Sequence, residues 1–208
     1  MKRDLVKPLY SSFLSCGKDT ETILNKLFVE DKQHARELKR LLIINTKDCL
    51  DSSKEEYNKE IEQYNVKKLI EENYIRLQPK VGLSEHEKVQ SYIIMHFDNF
   101  SQNFNNEFRD CYLTFDILCN TDHWQVGNYN QRPLMICGYI DGMLNKQKLS
   151  GIGTLQFFTC GELILDNQLS GYTLSYKAIH GTDDILEKGQ NLDDLNIPTI
   201  PFKEWYSW

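Results

Sequence analysis

The spacing of apolar positions changes near residue 73, from steps of three and four residues to steps of two. Before that point an apolar stripe of helical period runs through residues 23–42, and Asp19 or Thr20 is a suitable N-cap for it. The tetrapeptide LLII at 41–44 fits the end of this pattern or a short strand equally well. The polar stretch 51–64 has only a thin apolar stripe, which is more typical of an exposed helix or an ordered excursion than of a core element. The main stripe consists of Ile23, Leu24, Leu27, Phe28, Ala35, Leu38, Leu41 and Leu42.

After residue 73 the alternating pattern predicts strands. The cleanest is 111–120, in which every second residue is apolar or a cysteine. The segment 98–107, DNFSQNFNNE, is rich in loop-forming residues. The order of elements over 73–180 is β-β-β-α-β-β, which predicts an α+β fold with an antiparallel or mixed, curved sheet and helices on one face. The predicted strands are 74–77, 89–97, 111–120, 155–165 and 172–180.

The clearest helix lies in the stretch 131–158. Pro133 suits the first helical position, and an apolar stripe of helical period follows it as far as Leu144. Gly138 and Gly142 lie on one face of this helix, although each glycine costs about 1 kcal/mol relative to alanine. We expect that face to approach a sheet or a neighbouring chain closely. A turn at 149–153 then leads into the strand 155–165, which we expect to be central in the sheet.

Composition limits the classes of protein to which the chain can belong. With 208 residues, 40% of them hydrophobic, and a net charge of −6, it is a folded protein without a generally basic, nucleic-acid-coating surface. No apolar run approaches the roughly 18 residues that span a bilayer, and the N-terminus lacks the apolar region of a signal peptide. We therefore expect synthesis in a cytosol, no membrane association, and six free cysteines.

No motif supports catalysis. The cysteines form no C-x-x-C pair, so no zinc site is predicted. The loop SGIG at 150–153 follows a helix and precedes a strand, which is the reverse of a nucleophile elbow or a phosphate-binding loop. The one enzymatic alternative is a metal-dependent site built from carboxylates near Asp110–Asp122. Its candidate residues are Asp110, Asp116, Asp122, Asp141 and His123.

The C-terminal stretch 183–208 differs from the rest of the chain, because it is acidic, contains two prolines and ends in aromatic residues. Such an aromatic segment would be costly to leave in water, so we expect it to dock on its own domain or on another subunit. Arg109 and Arg132 flank the best strand and the best helix, and arginine is favoured at assembly interfaces. The candidate inter-subunit residues are Arg109, Arg132, Gly138, Gly142, Phe202, Trp205, Tyr206 and Trp208.

Several segments together resemble the head-to-tail neck proteins of tailed bacteriophages, with greatest similarity to the ring or tail-completion components of crAss-like phages. The resemblance extends over roughly residues 38–182. It rests on the overall similarity of these segments and includes no short catalytic signature. It implies a tail-completion-like fold, a homo-oligomeric ring of six or twelve subunits below the portal, and no catalytic residues. The segments are KRLLIINTKDCLD, SYIIMHFDNF, EFRDCYLTFDILCNTDHW, RPLMICGYIDGMLNKQKLSGIGTLQF and LSGYTLSYKAIHG.

The sequence therefore predicts a virion structural protein of the phage neck, made in the bacterial cytoplasm, with no cofactor and no bound metal. Its expected partners are copies of itself, the portal, other neck rings or tail proteins, and double-stranded DNA that passes without sequence-specific binding. A monomeric module that binds a host protein is the other alternative. We expect a mainly helical region at 1–72 packed on the core, a core domain at 73–182, and an extended arm at 183–208.

Overall fold

The structure is a computed structural model that describes residues 16–77, 91–104 and 108–180. Its N-terminal part is helical, as predicted. Helix α1 (Cys16–Asn25) continues into a π-helical turn (Lys26–Glu30), and α2 (Lys32–Ile43) follows. The Asp31 carboxylate accepts a hydrogen bond from the His34 backbone N–H at 3.1 Å, so it caps the first turn of α2. The tetrapeptide at 41–44 is therefore the end of this helix and not a strand.

Two short helices follow. Helix α3 (Glu55–Glu62) lies in the polar stretch and buries only Ile61, which confirms the prediction of an exposed helix. Helix α4 (Val66–Glu71) begins at Asn65, whose side chain accepts a hydrogen bond from the Lys68 backbone N–H at 2.9 Å.

The main sheet has five strands in the order β1-β2-β3-β9-β8. The two-residue β1 runs parallel to β2, and every other neighbouring pair is antiparallel. The sheet is thus mixed, and the predicted α+β class is confirmed. The strands are β1 (Ile75–Arg76), β2 (Ser91–Gln102), β3 (Arg109–Asn120), β8 (Gln156–Ile164) and β9 (Leu169–His180).

Helix α5 (Arg132–Leu144) lies between β3 and β8 in the chain, with the predicted proline in its first turn. Two small hairpins flank it. One joins β4 (Gln125–Val126) to β5 (Asn130–Gln131), and the other joins β6 (Lys148–Leu149) to β7 (Gly153–Thr154). The main elements of the sheet domain therefore follow the predicted order β-β-β-α-β-β.

The core lies between one face of the sheet and a layer formed by α2 and α5. The odd-numbered residues of β3 from Cys111 to Cys119 all point into it, as the alternation predicted, and so do Leu174 and Tyr176 of β9. The Tyr176 hydroxyl donates to the Asp141 carboxylate at 2.9 Å, which ties α5 to the sheet. The opposite face of the sheet carries a smaller apolar cluster of Tyr92, Ile94, Leu118 and Leu169.

Two predictions about the strands are wrong. Strand β2 continues to Gln102 through part of the predicted loop 98–107, because a bulge between Asp98 and Ser101, with Asn99 at φ 50°, absorbs the loop-forming residues without ending the ladder. The strand predicted to be central is β8, and it lies at the edge of the sheet. Its place in the strand order depends on the chain returning through β9, which the local sequence does not encode.

The three predicted domains stay a prediction. Within the described residues, side chains from Ile23 in α1 to Ala178 in β9 belong to one apolar cluster. The predicted C-terminal arm, 183–208, lies outside the described residues.

Candidate assembly surfaces

Strand β8 is exposed along both of its faces. All but one of its nine residues are exposed, and the exception, Leu163, is half-buried. Phe157 and Phe158 are each about half exposed, at 49% and 48%, and Ile164 at the end of the strand reaches 73%. Monomeric proteins rarely leave a long strand with this much apolar surface open to water, so β8 is the leading candidate for contact with another chain.

The two phenylalanines of β8 point to opposite faces of the sheet. Phe157 lies on the core side against Tyr176, with ring centroids 6.4 Å apart. Phe158 lies at a bulge on the other side, where its ring is 4.6 Å from that of Tyr112 and 5.3 Å from the Lys177 ammonium. Both rings are held in place, so the edge presents ordered apolar surface.

The backbone of β8 is held at its start and open further along. The Phe157 N–H donates to the Asn145 side chain at 3.3 Å, which anchors the strand to the end of α5. Beyond Phe158, no described strand pairs with the outer edge of β8. The strand contains no proline or lysine, and Glu162 is its only charged residue, so apart from the bulge at Phe158 it has few of the features that prevent pairing with another chain.

The glycine face of α5 is a second exposed surface. Gly138 and Gly142 are exposed together with Leu134, which lies one turn earlier on the same face. A methyl group added at either glycine would meet nothing within 4 Å. The expected close approach to the sheet of the same chain is therefore wrong, because the core side of α5 is occupied by larger residues such as Ile136 and Ile140. Contact with a neighbouring chain stays a prediction.

Arg132 lies at the start of α5 and points into its own subunit. It is fully buried, and its guanidinium donates to four backbone carbonyl oxygens of its own chain at 2.7–2.8 Å. The acceptors are the carbonyls of His123, Leu41, Ile44 and Thr46. These bonds hold the guanidinium inside its own subunit, and an inter-subunit role for Arg132 stays a prediction.

The other predicted interface residues divide into two groups. Arg109 is half-buried at the start of β3, where its guanidinium donates to the Phe108 carbonyl at 2.8 Å, and its role in assembly stays a prediction. Phe202, Trp205, Tyr206 and Trp208 lie outside the described residues.

The carboxylates of the enzymatic alternative do not come together. Asp116 lies on the face of the sheet opposite the core, where it accepts a hydrogen bond from Thr173 at 2.6 Å. Asp141 lies on the core face and holds Tyr176. No group of three or more potential metal ligands is found among the described residues.

Four of the described cysteines, Cys49, Cys111, Cys119 and Cys137, are buried, and Cys160 of β8 is exposed. All five are free thiols. Burial raises the pKa of the Cys119 thiol to about 11, and it also raises the pKa of Cys137, whose thiol lies beside that of Cys160. The buried cysteines therefore behave as small apolar side chains and not as nucleophiles.

The sequence did not single out the residues of the β8 edge. The sequence contained one signal. QFFTCGELI does not alternate cleanly between apolar and polar residues, as a strand with one face in the core would. Buried strands also lack this alternation, so the signal does not identify an exposed edge. The sequence also did not reveal the burial of Arg40 and Arg132, whose acceptors lie on other parts of the chain.

The comparisons with known proteins give a family and no structural relative. No curated protein and no solved structure shows significant similarity to the chain. No helix in the described part of the chain has both the length and the apolar character needed to cross a membrane. The model of the YomW family matches residues 35–178, a span that includes nearly all of α2, the whole of α5 and almost the entire sheet. Because this match covers well over half of the chain, the protein belongs to the YomW family, whose name comes from a Bacillus phage, and it is phage-associated.

Proposed function

We propose that this protein is a virion structural component that forms a homo-oligomeric ring in the head-to-tail connector, below the portal, with DNA passing through the ring. The observation that carries the proposal is the edge of β8, which no described strand pairs with beyond Phe158 and which exposes apolar side chains on both faces. Membership of a phage-associated family supports the phage setting. The resemblance of the sequence to neck proteins supports the position in the particle.

A ring needs two different surfaces on each subunit, because each copy contacts its neighbours head to tail. The edge of β8 is one such surface. The outer face of α5, with Leu134, Gly138 and Gly142, is the other, since it lies on the helical layer and glycine allows close approach of a neighbouring backbone. Contact between these two surfaces generates a closed ring when the rotation between neighbours is a whole fraction of a turn.

The charge of the chain suits a DNA channel. A net charge of −6 gives the subunit an overall repulsion toward the phosphate backbone, so DNA would pass without being held. In this proposal the protein is not an enzyme, and its partners are copies of itself, the portal and the adjoining neck or tail proteins. A channel surface that proved strongly positive would count against the proposal.

Mass photometry of the purified protein, alone and mixed with its portal, tests the ring. We expect species at six or twelve times the 24.5 kDa subunit mass, at least when the portal is present as a template. A protein that stays monomeric even with the portal would contradict the proposal.

A double variant, Thr159→Lys and Ile164→Lys, tests whether β8 is the contact. Both side chains are exposed, so the free energy of unfolding of the subunit should stay within about 0.5 kcal/mol of the wild-type value. The added charges oppose pairing at the edge. Tyr129→Lys is the control, because Tyr129 is an exposed residue in the turn of the β4–β5 hairpin and not part of β8. We expect the control to assemble and the double variant to remain monomeric. Equal assembly of the two would exclude the β8 edge as the interface.

A further inference from the structure

An open apolar groove lies between the π-helical turn, α2 and α3. Its volume is about 310 Å³. Phe28, Ala35 and Ile61 form a buried apolar floor, and Val29, which is 52% exposed, extends the apolar surface to the rim. A groove of this kind buries apolar side chains of a partner with little rearrangement.

The rim of the groove is basic, although the chain as a whole is acidic. Lys32, Arg36 and Lys39 follow one another at four- and three-residue steps on α2, so they lie along one side of the helix. Among the described residues that line the groove, Glu62 is the only one with a carboxylate, and it pairs with Arg36 at 3.3 Å. Neither Lys32 nor Lys39 forms an ion pair within the described residues. Lys39 is half-buried, and this burial lowers the pKa of its ammonium.

This combination defines the chemistry of the occupant. A ligand with apolar side chains flanked by carboxylates would fill the floor and neutralise the two unpaired lysines at the same time. Lys39 is half-buried, so a charge pair at this residue is screened less than one at exposed Lys32, and it adds specificity to the apolar contact.

The chain itself contains such a segment. Residues 183–197, DDILEKGQNLDDLNI, carry five carboxylates against one lysine. Five aliphatic residues alternate with these charges, and the tetrapeptide 192–195 places Asp193 and Asp194 between Leu192 and Leu195. Its charge is therefore opposite to that of the groove rim, and its apolar content matches the floor.

The segment is joined to the end of β9 by a long tether. Strand β9 ends at His180, and the twelve residues from there to Leu192 span up to about 40 Å when extended. A tether of this length gives the segment an effective concentration of roughly millimolar near its own domain. That advantage favours docking within one chain over docking between chains.

We propose that the groove is the docking site for residues 183–197 of the same chain, with Leu192 and Leu195 on the apolar floor and Asp193 and Asp194 against Lys32 and Lys39. Docking in this way fixes the point from which the aromatic residues 202–208 extend. The inference is independent of the ring, because it concerns contacts within one subunit.

Hydrogen exchange of the full-length protein, followed by mass spectrometry, tests this inference through a charge swap. The variants are Asp193→Lys with Asp194→Lys, Lys32→Glu with Lys39→Glu, and all four substitutions together. We expect residues 183–197 to exchange at least tenfold faster in each double variant than in the wild type, with protection restored in the quadruple variant. Exchange in β3 and β9 is the internal control for an intact fold.

Two results would overturn the inference. One is equal exchange of 183–197 in the wild type and in the Asp193→Lys, Asp194→Lys variant. The other is protection that rises with protein concentration, because docking within one chain does not depend on concentration. Neither result bears on ring formation, which mass photometry measures separately.

Discussion

At the scale of single residues, Arg132 does the most to join the separate parts of the structure. Its side chain donates to the carbonyls of Leu41 and Ile44 at the end of α2, of Thr46 in the loop that follows, and of His123 in the 3-10 turn after β3. The end of a helix carries partial negative charge and unpaired carbonyls, so a buried guanidinium is well matched to it. Arg132 thereby fixes α5 against α2 without a carboxylate partner among these bonds.

Replacing Arg132 with methionine should destabilise the protein by about 2–4 kcal/mol, because several buried carbonyl oxygens lose their donor. The free energy of unfolding in urea measures this effect. Arg36→Met is the control, since Arg36 is exposed and forms only a surface pair with Glu62, which is worth up to about 1 kcal/mol. Equal destabilisation by the two substitutions would contradict the role of Arg132.

The thiols allow a second prediction at this scale. The reactive form is the thiolate, and burial holds the pKa of Cys119 at about 11, so at pH 8 this residue remains almost entirely a thiol. In a Cys16→Ser background, we expect iodoacetamide to modify exposed Cys160 at least tenfold faster than Cys119 in the folded protein. Peptide mass spectrometry measures both rates. Similar rates under native conditions would show that the core around β3 is open.

At the scale of elements, the pairing of β3 with β9 is the tightest contact in the sheet. Gly171 of β9 lies so close to β3 that an added Cβ would fall 1.7 Å from the Ile117 carbonyl oxygen. Backbone atoms cannot move aside as a flexible side chain can. Glycine is therefore required here by close approach, while Gly161 on the neighbouring β8 has open space around its Cα.

We predict that Gly171→Ala costs at least about 3 kcal/mol, because the two central strands must separate to admit the methyl group. The free energy of unfolding of Gly161→Ala should stay within about 1 kcal/mol of the wild-type value, and any change should be stabilising. Thermal and chemical denaturation of the two variants gives the comparison. A Gly171→Ala protein as stable as the wild type would disprove the close packing of β3 and β9.

The glycines of α5 give a prediction that separates folding from assembly. Since nothing lies within 4 Å of an added methyl group, Gly138→Ala and Gly142→Ala should each stabilise the isolated subunit by about 1 kcal/mol. The same methyl groups should hinder a neighbour that packs on this face, so the double variant should assemble less well than the wild type. Unfolding measurements and mass photometry read the two effects independently. Full assembly of the double variant would remove this face of α5 from the proposed interface.

At the scale of the whole molecule, local patterns predicted the helices and strands, and contacts between distant segments determined where each one lies in the fold. The sequence alone predicted β3 from its alternation and α5 from its helical period, because the face on which a side chain lies follows from its position in the local repeat. The edge position of β8 depends on strand order, and the burial of Arg132 depends on carbonyls some 90 residues away in the sequence. Both follow from the return of the chain through α5 and β9, which no local pattern records.

The subunit as a whole has a well-packed core between sheet and helices, together with two exposed surfaces that its own described residues leave uncovered. A reconstruction of tailed phage particles produced together with this protein tests the central claim most directly. We predict a closed ring of six or twelve copies between portal and tail, with β8 of each subunit at the boundary with its neighbour. Infectious particles that lack this chain would contradict the account.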